Sequence, residues 1–249
     1  MRADYAKLSL PGNRSENQDR VEVLRQGESL LLLAVDGMGG HAHGAKAAEV
    51  TIRALREYFA ETGSPIFDPQ GFLTLALARA HERVVEIGAE VAIEHRPRAT
   101  CAVCLVQDGG TYWAHVGDSR VYQLRAGAVH LRTRDHSHVE LLLREGLIGE
   151  QEMRGHPMRN FVECCLGGDS PLPDMSVTAR RPLAAGDVLL VCTDGLWSGL
   201  EDADIAAAFA PRANGPLDAT LRELAERAVA HNAPHSDNTS VAAMRWHGE

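Results

Sequence analysis

Asp36, Asp118, Asp194 and Asp237 are the residues whose type and setting could do chemistry. Asp36-Gly37 follows the apolar run Leu30-Leu31-Leu32-Leu33-Ala34-Val35. Asp194-Gly195 closes Val188-Leu189-Leu190-Val191-Cys192 after Thr193, and Gly117-Asp118 closes Thr111–Val116. A carboxylate at the end of a buried strand is costly unless it is solvated, paired or bound to a cation. A glycine beside it lets a carbonyl or a ligand come close. Carboxylates converging at one end of a sheet repel one another, and a divalent cation relieves that repulsion. Oxygen-only ligation favours Mg²⁺ or Mn²⁺ over Zn²⁺. A pair of such ions can activate a water and stabilise an in-line displacement at phosphorus. Each Asp-Gly taken singly also fits an ordinary turn. Recurrence at the ends of apolar runs sets the group apart, but periodicity alone does not bring those ends together in space.

The elements that would have to position them can be read from pattern. The three runs read as strands, two of them buried on both faces. Ala45, Ala48, Ile52, Leu55 and Phe59 trace one helical face, with Gly63 as a stop. Asp68-Pro69 reads as N-cap and first residue of a helix whose apolar face runs from Phe72 to Val91. Strands are expected at Thr100–Val106, Thr111–Val116, Arg120–Leu124 and Val129–Arg132, with Asp108-Gly109-Gly110 as a hairpin turn. Ser137 and Glu140 form a capping-box pattern opening a short helix. Further helices are expected near Ala203–Phe209 and around Leu217–Ala228, and a last strand over Thr239–Trp246. The class is α+β, with two sheets packed together and covered by helices.

Bulk properties narrow the function classes. The 249 residues carry a net charge of −9 and 45% apolar residues, an ordinary globular balance read as a single domain over 1–249. The acidic balance and the lack of a basic run argue against a nucleic-acid partner. The five cysteines read as free thiols of a reducing compartment. Met1–Leu10 has no apolar core of signal-peptide length, and no run is long enough to span a membrane. The expected location is the cytoplasm, and the expected state is a monomer.

Six short motifs occur in order along the chain. Arg14-Ser15-Glu16-Asn17-Gln18-Asp19 is similar to R-x-x-N-E/Q-D, and Asp36-Gly37-Met38-Gly39-Gly40-His41 to D-G-M-G-G-H. Gly117-Asp118-Ser119-Arg120 matches G-D-S-R, Asp135-His136-Ser137 matches D-H-S, Cys192-Thr193-Asp194-Gly195-Leu196 is similar to C-S/T-D-G-L, and Asp237-Asn238 to a closing D-N. Together they resemble the metal-dependent protein phosphatases of type 2C, the PPM family, in their compact bacterial form.

The resemblance implies a four-layer αββα sandwich of two antiparallel sheets flanked by helices, with a flap near residues 137–165. It implies a phosphoserine/phosphothreonine protein phosphatase that uses a metal-bridged hydroxide and forms no covalent intermediate. The implied cofactors are Mn²⁺ or Mg²⁺, a pair in the core site and a weaker third ion. Asp36 would bridge the pair, the Gly37 carbonyl would complete one site, and Asp194 and Asp237 would hold the other. Asp118, with Asp194 shared, would help hold the third. Gln18 and Asp19 would orient metal-bound waters from one step back. Arg14 would clamp the substrate phosphate with its planar guanidinium. The implied partners are phosphorylated proteins and a cognate serine/threonine kinase.

Departures from the family pattern leave readings open. Gln18 stands where many members have an acid, so one ion could bind less tightly. Met38 stands where eukaryotic members carry a histidine proposed as general acid; His41 is the nearby candidate. Arg159–Gly167 follows the family's flap motif only loosely, which bears on substrate preference. A second reading is a phosphoprotein-binding regulatory module with the same fold and weak turnover. A third uses Asp36 as a nucleophile, although that chemistry usually wants a second aspartate at the position Met38 fills. Cys101 and Cys104 are three apart on a strand and so face opposite ways, which disfavours a metal site. His41-x-His43 and His136-x-His138 have the spacing of zinc ligands but no supporting cluster.

Overall fold

A computed structural model describes residues 2–39, 42–153, 155–211 and 215–248. In chain order it contains β1 (Ala3–Leu10), β2 (Arg20–Gln26), β3 (Ser29–Met38), α1 (Ala42–Glu61), α2 (Pro69–Ile87), β4 (Arg98–Gln107), β5 (Gly110–Val116), β6 (Arg120–Arg125) and β7 (Ala128–Arg132). There follow α3 (His138–Arg144), α4 (Glu150–Met153), β8 (Leu166–Gly167), β9 (Ser176–Val177), β10 (Arg181–Pro182), β11 (Val188–Cys192), α5 (Asp194–Trp197), α6 (Asp202–Ala207), α7 (Leu217–His231) and β12 (Thr239–Trp246).

The strands form two sheets. One runs β1-β12-β11-β6-β7; the other runs β10-β5-β4-β3-β2, with β8 added on β4 and β9 on β5. All of the strand pairs are antiparallel. The sheets pack face to face, which is why β3 and β11 read as unbroken apolar runs rather than as alternating strands. Leu30, Leu32 and Ala34 face the inter-sheet core with Leu189, Val191 and Met244. Leu31, Leu33 and Val35 point the other way, into the core beneath α1 and α2. On the far side Leu190 and Cys192 pack under α5, α6 and α7, against Leu196, Leu221 and Leu224. The layers are therefore α, β, β, α, as the resemblance implied. Each fully buried leucine contributes about 1.5–3 kcal/mol by leaving water.

Most expected elements form where pattern placed them. The β4–β5 turn has Asp108 and Gly109 at φ 49° and 61°, the left-handed geometry of a two-residue hairpin. Asp68 caps α2 by accepting a 3.0 Å hydrogen bond from Gly71 N. Cys101 and Cys104 do face opposite layers, Cys101 under the helices and Cys104 between the sheets.

Besides the short elements α4, α5, β8, β9 and β10, which pattern did not place, three details differ. First, α2 stops at Ile87 and leaves Val91 outside it. Gly88 breaks the helix, and its N–H turns back to Val85 O at 3.0 Å. Second, the capping box at α3 is only half made. Ser137 Oγ accepts from Glu140 N at 3.4 Å, but the Ser137 backbone is bridged to Val162, and Glu140 instead lies 3.4 Å from Arg134 Nε. Third, β1 and β2 escape periodicity, because they are half-exposed strands at the sheet edges carrying Lys7, Arg20 and Glu22.

One buried charge anchors the end of the sandwich away from the aspartates. Asp187 is fully buried and accepts 2.7 Å bonds from Arg125 Nε and Nη2, a 2.8 Å bond from Gln123 Nε2 and a 3.0 Å bond from Ala184 N. Burial alone would raise its pKa; these donors more than offset that, and the net shift is downward. A carboxyl whose folded pKa is depressed contributes stability above its unfolded pKa and loses it as pH falls through the folded value. Asp187→Asn is therefore expected to cost about 1.5–3 kcal/mol at pH 7 in urea melts. The deficit relative to the parent should shrink below about pH 4. A deficit that does not change with pH would contradict this.

Candidate metal centre

The short hydrogen-bonding links between strands bring the acidic residues to one end of the sandwich. Asp36 lies near the end of β3 and pairs across the sheet with Thr100 of β4. Thr100 Oγ1 is 2.7 Å from Ser119 Oγ, which docks the Gly117-Asp118-Ser119 turn beside Asp36. Asp19 precedes Arg20, whose partner on β3 is Val35. Its carboxylate accepts a 2.7 Å bond from Thr193 Oγ1, the residue before Asp194. Thr193 Oγ1 in turn accepts from Ser240 N at 3.0 Å, so β11 and β12 deliver Asp194 and Asp237 to the same place. Asp194 opens α5 rather than ending a strand.

Two glycines make the approach possible. A Cβ on Gly37 would lie 2.0 Å from Gly44 O, and one on Gly195 would lie 2.0 Å from Asn238 O. The Asp-Gly pairs at 36–37 and 194–195 are therefore places where backbones nearly touch, not merely turns.

The electrostatics report crowding. Burial first, then the charges of Asp19, Asp194, Asp118 and Asp237, push the Asp36 carboxyl well above the usual range. Asp194 is raised in the same way, by burial and then by Asp118, Asp237 and Asp19. Asp118 is pushed up to about 7 by burial and Asp135, against the pull of Arg120. Asp19 is pushed up to about 6 by burial, against hydrogen bonds from Thr193 and Ser240. Its second oxygen, Oδ1, is buried without a hydrogen-bond partner. Mutually repelling carboxylates with an orphaned oxygen fit a cation-binding role, because a divalent ion supplies the missing positive charge. Among the described residues no three His, Cys, Asp or Glu side chains enclose an ion by themselves. A donor set completed by waters and a main-chain carbonyl such as that of Gly37 suits Mg²⁺ or Mn²⁺, which retain waters, better than it suits zinc.

A cleft of about 370 Å³ opens over Asp36, Gly37, Met38 and Asp237. Arg14, Ser15, Glu16, Gln18 and Asn238 also line it. Arg14 Nη2 donates to Asp237 Oδ2 at 2.6 Å, so the one expected phosphate clamp stands at the acidic cluster. Gln18 reaches toward Glu16, with Nε2 3.5 Å from Oε2. Asp118 and Asp194 lie outside this lining; the Asp118 carbonyl accepts from Trp197 Nε1 at 3.0 Å. His41 lies outside the described residues. The His136 and His138 rings have other partners, Ser176 Oγ at 2.9 Å and Glu163 Oε1 at 2.7 Å.

Several positioning residues were invisible to pattern. Asn238 accepts from Gln18 N at 2.8 Å and donates to Pro11 O and Glu16 O, both at 2.9 Å. It therefore holds the loop that carries Arg14. Arg120 and Asp135, each within a recognised motif, form a buried bidentate pair at 2.8 and 2.7 Å. His136 N donates to Gly117 O at 2.9 Å, and Glu163 N donates to His136 O at 2.8 Å, so the D-H-S segment joins the Asp118 turn to the flap. Only the D-N, G-D-S-R and D-H-S motifs themselves could have signalled these roles.

An αββα sandwich with buried carboxylates gathered at one end beside an arginine-lined cleft is the arrangement expected of a metal-dependent phosphohydrolase. A protein-family model for protein phosphatase 2C matches residues 12–232. A putative protein phosphatase 2C-type of Streptococcus pyogenes is 31% identical over 247 residues, covering 98% of this chain and 97% of that one. The solved serine/threonine phosphatase of S. agalactiae superposes with a TM-score of 0.88 at 30% identity, over 98% of this chain and 100% of that one. The catalytic domain of serine/threonine protein phosphatase PstP, solved with 2 manganese ions, superposes at 0.77 with 29% identity, over 98% of this chain and 97% of that one. The chain belongs to the protein phosphatase 2C family and is a metal-dependent serine/threonine protein phosphatase.

Proposed function

We propose that the chain, working as one catalytic domain over residues 1–249, hydrolyses phosphoserine and phosphothreonine in proteins and opposes a serine/threonine kinase. The observation that carries this is the convergence of Asp36, Asp194 and Asp237, with raised carboxyl pKa values at Asp36 and Asp194, beneath a cleft that Arg14 lines. Asp36, the Gly37 carbonyl, Asp194 and Asp237 would hold a pair of Mn²⁺ or Mg²⁺ ions, and Asp118 with Asp194 a weaker third. When bound, the ions would neutralise the carboxylates and activate water for direct attack at phosphorus, with no covalent phosphoenzyme.

The protein's own groups do the rest. Arg14 sits where its guanidinium can take two phosphate oxygens and fix the ester for in-line attack. Asp19, held by Thr193, presents its orphaned oxygen to the site as an acceptor that orients water. Gln18 offers the cleft an amide dipole without a charge. Met38 has no ionisable proton to give, so the leaving alkoxide takes its proton from water or from another group.

No described helix is long and apolar enough to cross a membrane. We place the chain as a monomer in the cytoplasm, and its net charge of −9 argues against a nucleic-acid partner. The test is hydrolysis of a phosphoserine peptide with Mn²⁺ present and then chelated. Chelation is expected to lower the rate at least about a hundredfold. A rate indifferent to chelator would overturn the metal-centred reading, and no hydrolysis in either condition would favour the binding-module alternative.

A further inference from the structure

Glu16 is the acidic side chain at this cleft that the chemistry does not use. It is exposed and lines the same cavity as Arg14 and Asp36. The other charged groups there have employment: Arg14 is paired with Asp237, and Asp36 faces the acidic cluster. No cationic side chain among the described residues pairs with Glu16; its recorded partner is the neutral amide of Gln18, at 3.5 Å.

Glu16 is also held in place. Asn238 Nδ2 donates to its carbonyl at 2.9 Å and to Pro11 O at 2.9 Å, while Asn238 Oδ1 accepts from Gln18 N at 2.8 Å. The main chain on either side of the glutamate is thus fastened to the residue that follows Asp237. A free surface glutamate would lose much of its interaction energy to side-chain entropy and solvent. One on an anchored backbone, at the rim of a cleft that a substrate must cover, loses less of it.

We propose that Glu16 selects phosphoprotein substrates that carry an arginine or lysine close in sequence to the phosphorylated residue. This rests on the phosphatase reading above and adds the substrate class. A phosphoester seated against Arg14 brings its neighbouring side chains to the rim where Glu16 stands. A basic neighbour meets a carboxylate that no described cation pairs with; an acidic neighbour meets repulsion. The net charge of −9 acts in the same direction at longer range, drawing basic segments toward the protein. Because the contact forms beside the reacting group, it is expected in kcat/KM as discrimination between sequences.

The test compares phosphoserine peptides that differ only in having Arg, Ala or Glu at the flanking positions, using the full chain loaded with Mn²⁺. The parent protein is expected to favour the Arg peptide over the Glu peptide by about fivefold or more. Glu16→Gln should bring that ratio close to one, and Glu16→Lys should reverse it. An unaltered ratio in both variants would overturn the proposal, as would a parent with no preference. If Glu16→Gln slows all three peptides equally, Glu16 serves the metal-water network instead, and the proposal fails while the phosphatase reading stands. If the parent hydrolyses none of the peptides with Mn²⁺ present, both readings fall.

Discussion

Asp36→Asn is expected to lose Mn²⁺-dependent phosphopeptide hydrolysis by on the order of a thousandfold, while the metal-free protein melts at the same temperature or higher. The two halves of this result have one cause. Asp36 stands in the field of Asp19, Asp194, Asp118 and Asp237, and burial adds to the cost of its charge. A carboxyl whose folded pKa is raised above its unfolded value opposes folding at neutral pH, because the unfolded chain holds it ionised at no such cost. An amide of the same shape removes that penalty and with it the negative charge that a bridging ion needs. Sites built for chemistry often carry stability costs of this kind. Paired measurements of kcat/KM and of the metal-free melting temperature would check it. A variant that lost stability along with activity would assign Asp36 a structural role.

Asp135→Ala is expected to lower stability by about 3–5 kcal/mol, which for a chain of this size is roughly 6–20 °C in Tm. Arg120 is buried, and its guanidinium lies 3.7 Å over the Trp197 ring. It donates to Asp135 at 2.8 and 2.7 Å and to Tyr122 OH at 3.1 Å, and Tyr122 OH donates to Asp202 Oδ1 at 2.9 Å. Removing Asp135 leaves most of that buried cation uncompensated, since Asp202 is 3.7 Å from Arg120 Nη1. Replacing both partners, as in Arg120→Met with Asp135→Leu, should recover much of the loss, because the penalty belongs to the orphaned charge. Activity should fall as well, because Trp197 also donates to the Asp118 carbonyl at 3.0 Å. Urea melts of Arg120→Met, Asp135→Leu and the variant carrying both measure the coupling directly. A loss under about 1 kcal/mol in Asp135→Ala would contradict the assignment.

What the sequence made legible follows from which interactions are local. The runs Leu30–Val35 and Val188–Cys192 announced strands with both faces buried because the sandwich buries each face in a different core. Asp36 and Asp194 were legible because Gly37 and Gly195 mark the close backbone approaches beside them. Pattern could not show that Asp19 is held by Thr193, or that Asn238 clamps the Arg14 loop, since these bonds join residues 174 and 222 positions apart. Arg120 and Asp135 were visible only as letters of motifs; that they form a buried ion pair is a fact of packing. The edge strands β1 and β2 stayed hidden because half-exposed strands mix charged and apolar residues on both faces. The far end of α2 was misjudged because apolar spacing continued past Gly88, where the helix itself ends.

The central claim is that acidic side chains distant in the chain form one cation site. Titration calorimetry of Mn²⁺ into the parent protein and into Asp36→Asn tests it most directly, with no substrate present. The parent should take up Mn²⁺ below millimolar concentration, and the variant should lose most of that uptake. No sub-millimolar binding by the parent, or equal binding by the variant, would contradict the claim.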